Sequence, residues 1–240
     1  ANQGKFVDPK TTAKGEDRAT VSLSNPKTLW FNTGTLCTIE CVNCYIDSSP
    51  TNDALVYLTE QDVASYVGQV FDRKWPLPEI AFTGGEPFMA PQMIAILDET
   101  LSRGFTVLML TNAMRPMMRP RIKGGLMDLK ERFGDRLTMR VSLDHFSADL
   151  HDEERGRGSF EKAAEGLAWL GENGFNVALA GRTIWGEDED VSRAGYEALI
   201  GTLGLGIDPS NPKQLVLFPE MKDGDEPPEI TVDCWGILNV

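Results

Sequence analysis

The chain has 240 residues, 41% of them hydrophobic and 25% charged, the proportions of an ordinary folded protein and too many residues for a small fold held by disulfides alone. Against 36 acidic residues stand 23 basic ones, a formal charge of −13, which argues against a nucleic-acid backbone or an anionic membrane as partner. The apolar run at residues 105–110 is far too short to cross a bilayer, and residues 1–26 show no secretory or transit pattern, so a cytoplasmic protein is expected.

Along the chain, apolar runs alternate with amphipathic stretches. A polar, disorder-prone leader over 1–25 precedes a predicted strand at 28–33, and three of the four cysteines follow at once in Cys37-Thr-Ile-Glu-Cys41-Val-Asn-Cys44. Spacings of three and two residues let three thiolates converge on one side of a short loop, which suits a metal cluster better than a disulfide framework. A structural site normally takes four protein ligands, so three cysteines leave one metal position for a substrate or cofactor. The structural alternatives are a zinc site completed by Cys234 or a histidine, or three reduced thiols. A helix is expected over 59–71, opened by Thr59 with Asp62 three residues on, then a strand over 79–82 running into Thr83-Gly84-Gly85-Glu86-Pro87. The glycine pair lets backbone pass close to a ligand and Glu86 can accept hydrogen bonds from an ammonium group, although Gly-Gly after a strand is by itself an ordinary tight turn.

The pattern continues with helix 91–103, strand 106–110 leading to Asn112, helix 122–133, and strand 137–143 ending at Ser142 and Asp144. Helix 160–173, strand 176–180 followed by Arg182, helix 192–203 and strand 214–217 followed by Pro219 and Glu220 complete it. Gly104, Gly134 and Gly174 each follow a predicted helix, where a left-handed cap needs no Cβ. Six strands joined by helices require right-handed parallel crossovers. The expected class is therefore α/β, a partial (β/α)6 TIM-like barrel of parallel strands, with an open doubly wound sheet as the alternative. In such barrels functional groups gather at the C-terminal strand ends. The cysteines, Thr83 to Pro87, Asn112, Ser142, Asp144, Arg182 and Pro219-Glu220 all fall there. His145 and His151 read as structural neighbours of the fourth strand's loop. The acidic runs 152–154 and 187–190 read as solvated faces, or as a rim favouring a cationic substrate. The expected organisation is a leader over 1–27, the barrel over 28–220 and a tail over 221–240.

The C-x3-C-x2-C loop and Gly84-Gly85-Glu86-Pro87 resemble the radical S-adenosylmethionine enzyme superfamily. Leu110-Thr-Asn112, Val141-Ser142-Leu-Asp144 and the run from His151 to Phe160 resemble members that modify peptides or mature cofactors. The resemblance implies a [4Fe–4S] cluster on Cys37, Cys41 and Cys44, with S-adenosylmethionine on the fourth iron. It further implies a 5′-deoxyadenosyl radical that abstracts hydrogen from a peptide or small-molecule substrate. Gly84, Gly85 and Glu86 would then hold the methionine ammonium, Ser142 and Asp144 would approach the ribose or methionine end, and Arg182 would pair with the carboxylate. Pro87 and Asn112 would complete the cofactor-binding set, and a flavodoxin- or ferredoxin-type partner would donate the electron. The chain departs from the family pattern before the last cluster cysteine, where an aromatic residue is usual: here it is Asn43, with Tyr45 following the cysteine. Cys234 by itself reads as a buried or free thiol; members often carry C-terminal extensions with further cysteine-bound clusters, of which it would otherwise be a first ligand. The alternative function is a non-catalytic iron–sulfur or zinc-binding module that retains the fold.

Overall fold

Six apolar runs become the six strands of one sheet in the computed structural model of the chain, which describes residues 4–219 and 227–234. They are β1 (Thr28–Asn32), β2 (Glu79–Thr83), β3 (Thr106–Thr111), β4 (Leu137–Ser142), β5 (Asn176–Arg182) and β6 (Leu215–Phe218). All neighbours are parallel and the spatial order is the sequence order, β1 to β6. A doubly wound sheet reverses its strand order at a switch point. This one never does, so the strands curl in one sense as a partial barrel, with β1 and β6 as its edges.

The crossovers are α1 (Glu60–Asp72), α2 (Met93–Ser102), α3 (Pro120–Phe133), the pair α4 (Ala148–Arg155) and α5 (Ser159–Glu172), and α6 (Glu189–Thr202). Thr59 opens α1 with a capping box, its side chain bonded to the Asp62 backbone and the Asp62 carboxylate to the Thr59 backbone, satisfying two otherwise orphaned donors. Gly134 closes α3 at φ +60°, a region that disfavours residues with a Cβ.

Period-2 alternation divides each strand between two environments. Ile80, Phe82, Val107, Met109, Met139, Val141 and Leu179 turn outward and pack in one buried cluster with the helix residues Val67, Ile96, Leu126, Leu167 and Ile200. Each fully buried side chain of this size contributes about 1.5–3 kcal/mol of transfer free energy. The other face looks into the barrel, where Trp30, Thr83, Leu110, Arg140, Ser142, Ala180 and Arg182 line a cavity. Cohesion therefore lies between sheet and helices, leaving the inner face free to carry polar groups.

Among the described residues, those before Pro26 and those from 227 to 234 cluster as a second, smaller unit. Antiparallel bridges join Thr11 to Asp17 and Arg18 to Thr231, and Glu229 pairs with Arg18 while accepting the backbone N–H groups of Phe6 (3.0 Å) and Ala13 (2.7 Å). Cys234 ends a short 3-10 turn, its sulfur 3.5 Å from the Thr231 hydroxyl. Glu220, expected on the barrel rim, and most of the acidic stretch after it lie outside the described residues. Among the described residues no helix is long and apolar enough to cross a membrane.

Candidate active site

The cysteine loop leaves β1 at Asn32 and is pinned before its first cysteine. Gly85 N–H donates to Gly34 O (2.9 Å), Glu86 N–H to Leu36 O (3.1 Å), and Cys37 N–H to Ser49 O (3.0 Å). The two glycines exist because of this closeness. A Cβ on Gly84 would lie 2.7 Å from Thr33 Oγ1, and one on Gly85 would lie 2.6 Å from the Leu36 carbonyl carbon and closer still to its oxygen. Sequence reasoning assigned the close approach to a ligand; the first backbone the pair admits is that of the cysteine loop.

Cys37, Cys41 and Cys44 line one recess of about 90 Å³ together with Gly84, Gly85, Asn112, Ser142, Arg155 and Arg182. The sulfurs surround a space rather than a point: among the described residues no group of three or more His, Cys, Asp or Glu is placed to hold a single metal ion. A polynuclear cluster, whose ligands bind different irons, makes no such demand. Burial pushes the Cys41 thiol up to about 11 and raises Cys37 as well, while the charge of Arg155 draws both down. Donors are already aimed at sulfur: Ser48 N–H lies 3.2 Å from Cys44 Sγ and the Asn112 amide 3.9 Å from Cys37 Sγ. With Cys37 and Cys41 held toward the neutral thiol by burial, and donors and a fixed cation beside the sulfurs, the recess suits a cationic cluster that would stabilise the thiolates.

Glu86 stands elsewhere than expected. It is 1% exposed, and its oxygens accept from Thr111 Oγ1 (2.9 Å), Asn112 N–H (2.9 Å) and Phe88 N–H (3.2 Å). Burial lifts its carboxyl to about 7 in spite of these bonds. Its carboxylate thus ties the end of β2 to the end of β3 and sets the backbone of Asn112, whose side chain faces Cys37. Pro87 is buried at the first position of the short 3-10 turn that follows.

Asp144, 2% exposed, is held by Arg155 in a two-pronged pair, Nε to Oδ2 at 2.6 Å and Nη2 to Oδ1 at 2.8 Å. Arg182 Nε stands 3.6 Å from Asp144 and its Nη1 3.5 Å from Glu154. Burial opposes the charge of Arg155, but Asp144 more than offsets it and holds the guanidinium above its ordinary value. The knot reaches back to the cysteines. Glu154 accepts Asn43 N–H (2.8 Å) and the Asn43 amide (2.9 Å), its carbonyl accepts Val42 N–H (2.9 Å), and Arg182 Nη2 donates to Asn43 O (2.8 Å). Asn43, where an aromatic residue was looked for, is therefore a clamp point. Tyr45 swings across to Thr83, hydroxyl to hydroxyl at 2.8 Å, and lines the cleft.

His151 accepts Asp144 N–H on Nδ1 (3.1 Å) and is kept neutral by burial, its value lowered to about 4. His145 accepts Ser147 N–H (2.9 Å) and meets Glu187 at 2.7 Å. Neither histidine lines either cavity.

The cysteine recess shares Tyr45, Thr83, Leu110, Ser142, Arg155 and Arg182 with a larger cavity of about 780 Å³ in the barrel mouth, walled by Trp30, Asn43, Arg140, Ala180, Val216 and Phe218. Gly84, Gly85, Asn112, Ser142 and Arg182 thus meet the cysteines at the recess, and Asp144 joins through the larger cavity; Glu86 and Pro87 line neither. Sequence reasoning missed Arg155, Glu154, Arg140 and Trp30. Arg155 lies within the run from His151 to Phe160, and its signal is a basic residue one helical turn beyond His151, at the end of α4.

The family model described as the Radical SAM superfamily matches residues 31–191. Among curated proteins, the subtilosin biosynthesis protein AlbA of Bacillus subtilis is 30% identical over 60% of this chain, and the mycofactocin maturase MftC of Mycolicibacterium smegmatis 28% over 59%. The matched stretches cover 30% and 33% of those proteins, so the chain spans about a third of the length of each. Among solved structures, Streptococcus suis SuiB bound to S-adenosylmethionine superposes with a TM-score of 0.65 at 14% identity, over 84% of this chain and 42% of SuiB, a likeness of fold.

Proposed function

The chain belongs to the radical SAM superfamily, and from that premise we propose that it is an enzyme that binds a [4Fe–4S] cluster on Cys37, Cys41 and Cys44, cleaves S-adenosylmethionine reductively and acts on a peptide or a small molecule. The observation that carries this reading is the shared recess: three thiols, two glycines and a fixed guanidinium around one space that opens into a substrate-sized cavity. When bound, the cluster supplies an electron to the sulfonium of S-adenosylmethionine, and that cofactor supplies a 5′-deoxyadenosyl radical for hydrogen abstraction.

The chain's own residues supply placement and exclusion. The thiols are positioned by a loop fixed from both sides, through Gly85 and Glu86 on one flank and Glu154 and Arg182 on the other. Arg155 offsets negative charge that would build up at Cys37 and Cys41 as thiolates. Ser142, on the wall common to both cavities, presents a hydroxyl where cofactor and substrate would meet. Glu86 acts through Asn112 rather than as an exposed carboxylate, so the Gly84 and Gly85 backbone is left to contact the methionine end. Trp30, Leu110, Val216 and Phe218 give the larger cavity apolar walls that keep water from a reactive carbon. A low-potential partner of flavodoxin or ferredoxin type would provide the electron, and thiolates that must stay reduced fit a reducing cytosol. AlbA and MftC are named for subtilosin bacteriocin biosynthesis and mycofactocin maturation, and SuiB has been crystallised with the precursor peptide SuiA; these supports favour a peptide.

The test is anaerobic reconstitution with iron and sulfide, then dithionite and S-adenosylmethionine, reading 5′-deoxyadenosine by mass-resolved chromatography. The expected result is a brown protein that forms the product, and a Cys41→Ala variant that keeps its circular dichroism but loses iron and product together. Full iron content in Cys41→Ala would overturn the ligand assignment, and a colourless protein binding zinc alone would return the chain to the non-catalytic alternative.

A further inference from the structure

Arg140 is the one guanidinium of the barrel mouth that the machinery above does not use. It lies on the inner face of β4, two residues before Ser142 and in register with Leu110 on β3 and Ala178 on β5. Its side chain enters the larger cavity beside Trp30, Val216 and Phe218. The other two arginines there are committed, Arg155 to Asp144 and Arg182 to Asp144, Glu154 and Asn43 O. Arg140 pairs with no carboxylate among the described residues: its Nε is buried with no acceptor, and its one hydrogen bond runs from Nη2 to Lys213 O at 3.5 Å, the limit of such a contact. Glu79, the anion whose field reaches it, has an oxygen engaged by the Thr28 hydroxyl at 2.8 Å.

A guanidinium drawn half out of water, with one nitrogen sealed from solvent and unpaired, costs free energy unless an anion answers it. A strand interior built for cohesion would carry an aliphatic residue here, as Leu110 and Ala178 do on either side. We propose that Arg140 is the anchor for a carboxylate of the substrate, and that the cavity takes a molecule joining a carboxylate to an apolar or aromatic group. The terminal nitrogens of this planar fork, engaged only by a contact at the limit of hydrogen bonding, match the two oxygens of a carboxylate. Flat walls of Trp30 and Phe218 match the apolar part. The acidic run at 187–190 suggested a cationic substrate, but Glu187 is engaged by His145, and the uncommitted charge in this cavity is positive. The inference rests on the enzymatic reading for the word substrate; the carboxylate site itself does not.

The test uses the full chain, with and without its reconstituted cluster, and three fluorine-labelled probes followed by 19F line broadening. These are acetyl-4-fluorophenylalanine with a free carboxylate, acetyl-Glu-4-fluorophenylalanine amide with a side-chain carboxylate only, and acetyl-Gln-4-fluorophenylalanine amide with none. At least one carboxylate probe should bind about tenfold tighter than the neutral one, and which of the two does so tells a chain terminus from an acidic side chain. Arg140→Leu should abolish that preference while unfolding at or above the wild-type urea midpoint, since an apolar residue fits the wall, and Arg140→Lys should keep part of it. Equal binding of all three probes, no binding of either carboxylate, or a preference that survives Arg140→Leu would overturn the proposal. Because the probes need no radical chemistry, absence of 5′-deoxyadenosine with the preference intact refutes the enzymatic reading alone.

Discussion

Gly85→Ala tests whether the glycine pair is an architectural requirement of the cysteine loop. The backbone of Gly85 does not lie at positive φ, so alanine is free to adopt it, and reduced entropy of the unfolded chain alone would favour the substitution by about 0.4–1 kcal/mol. Against that stands a methyl group 2.6 Å from the Leu36 carbonyl carbon, where carbon contacts are comfortable at about 3.5 Å. The loop must retreat by about 1 Å, weakening the bonds from Gly85 N–H to Gly34 O and from Glu86 N–H to Leu36 O. Overpacking of about 1–3 kcal/mol plus roughly 1 kcal/mol per weakened hydrogen bond gives an expected loss of about 2–4 kcal/mol. Urea unfolding reads it, with Gly124→Ala as the control: that glycine lies within α3 with nothing within 4 Å of the added methyl, so it should gain about 0.5–1 kcal/mol. Iron content after reconstitution should fall in Gly85→Ala and hold in Gly124→Ala. A Gly85→Ala midpoint equal to wild type would refute the reasoning, because no compensation of that size is available from a backbone carbonyl.

Removing Arg155 leaves the buried Asp144 carboxylate only the looser contact with Arg182 at 3.6 Å, so Arg155→Met should cost about 3 kcal/mol, and adding Asp144→Asn should recover part of it; additive losses in the double-mutant cycle would show that the two-pronged pair is not a coupled unit. Glu86 titrates near 7 in the folded chain against an ordinary value of 4.5. The folded state therefore holds its proton more tightly, and stability should decline by up to about 3 kcal/mol as pH rises from about 4.5 to about 7. Unfolding of the cluster-free chain across that range should show the slope in wild type and a flatter profile in Glu86→Gln; parallel profiles would mean that the buried carboxyl is not the cause.

The strands were legible because an outward-facing apolar residue at every second position, backed by small or apolar inner ones, makes a nearly continuous run. Their ends were not: Thr83, Thr111, Gly181 and Arg182 belong to strands but are polar or small, and an apolar-run criterion stops before them. The helix α4 was invisible for a related reason. Its buried positions are His151 and Glu154, which bond through His151 Nδ1 to Asp144 and through the Glu154 carboxylate to Asn43, so no apolar stripe marks a face. The cysteines and glycines were legible as a set, since spacing and residue type are sequence properties. The role of Glu86 was not, because its three donors arrive from residues 2, 25 and 26 positions away. Pairings such as Asp144 with Arg155 require a helix the sequence did not announce.

The clamp on the cysteine loop also sets a timetable for biogenesis. Asn43 is fixed by Glu154, 111 residues downstream, and by Arg182, 139 residues downstream. At roughly 5–20 residues per second of synthesis, the three thiols leave the ribosome on the order of ten seconds before the groups that shape them exist. Until then they are loose nucleophiles on an unfinished chain, open to oxidation and to any adventitious metal. A cluster held by these thiols would find its site formed only after β5 has docked, which would make the second half of the barrel the licence for loading the first.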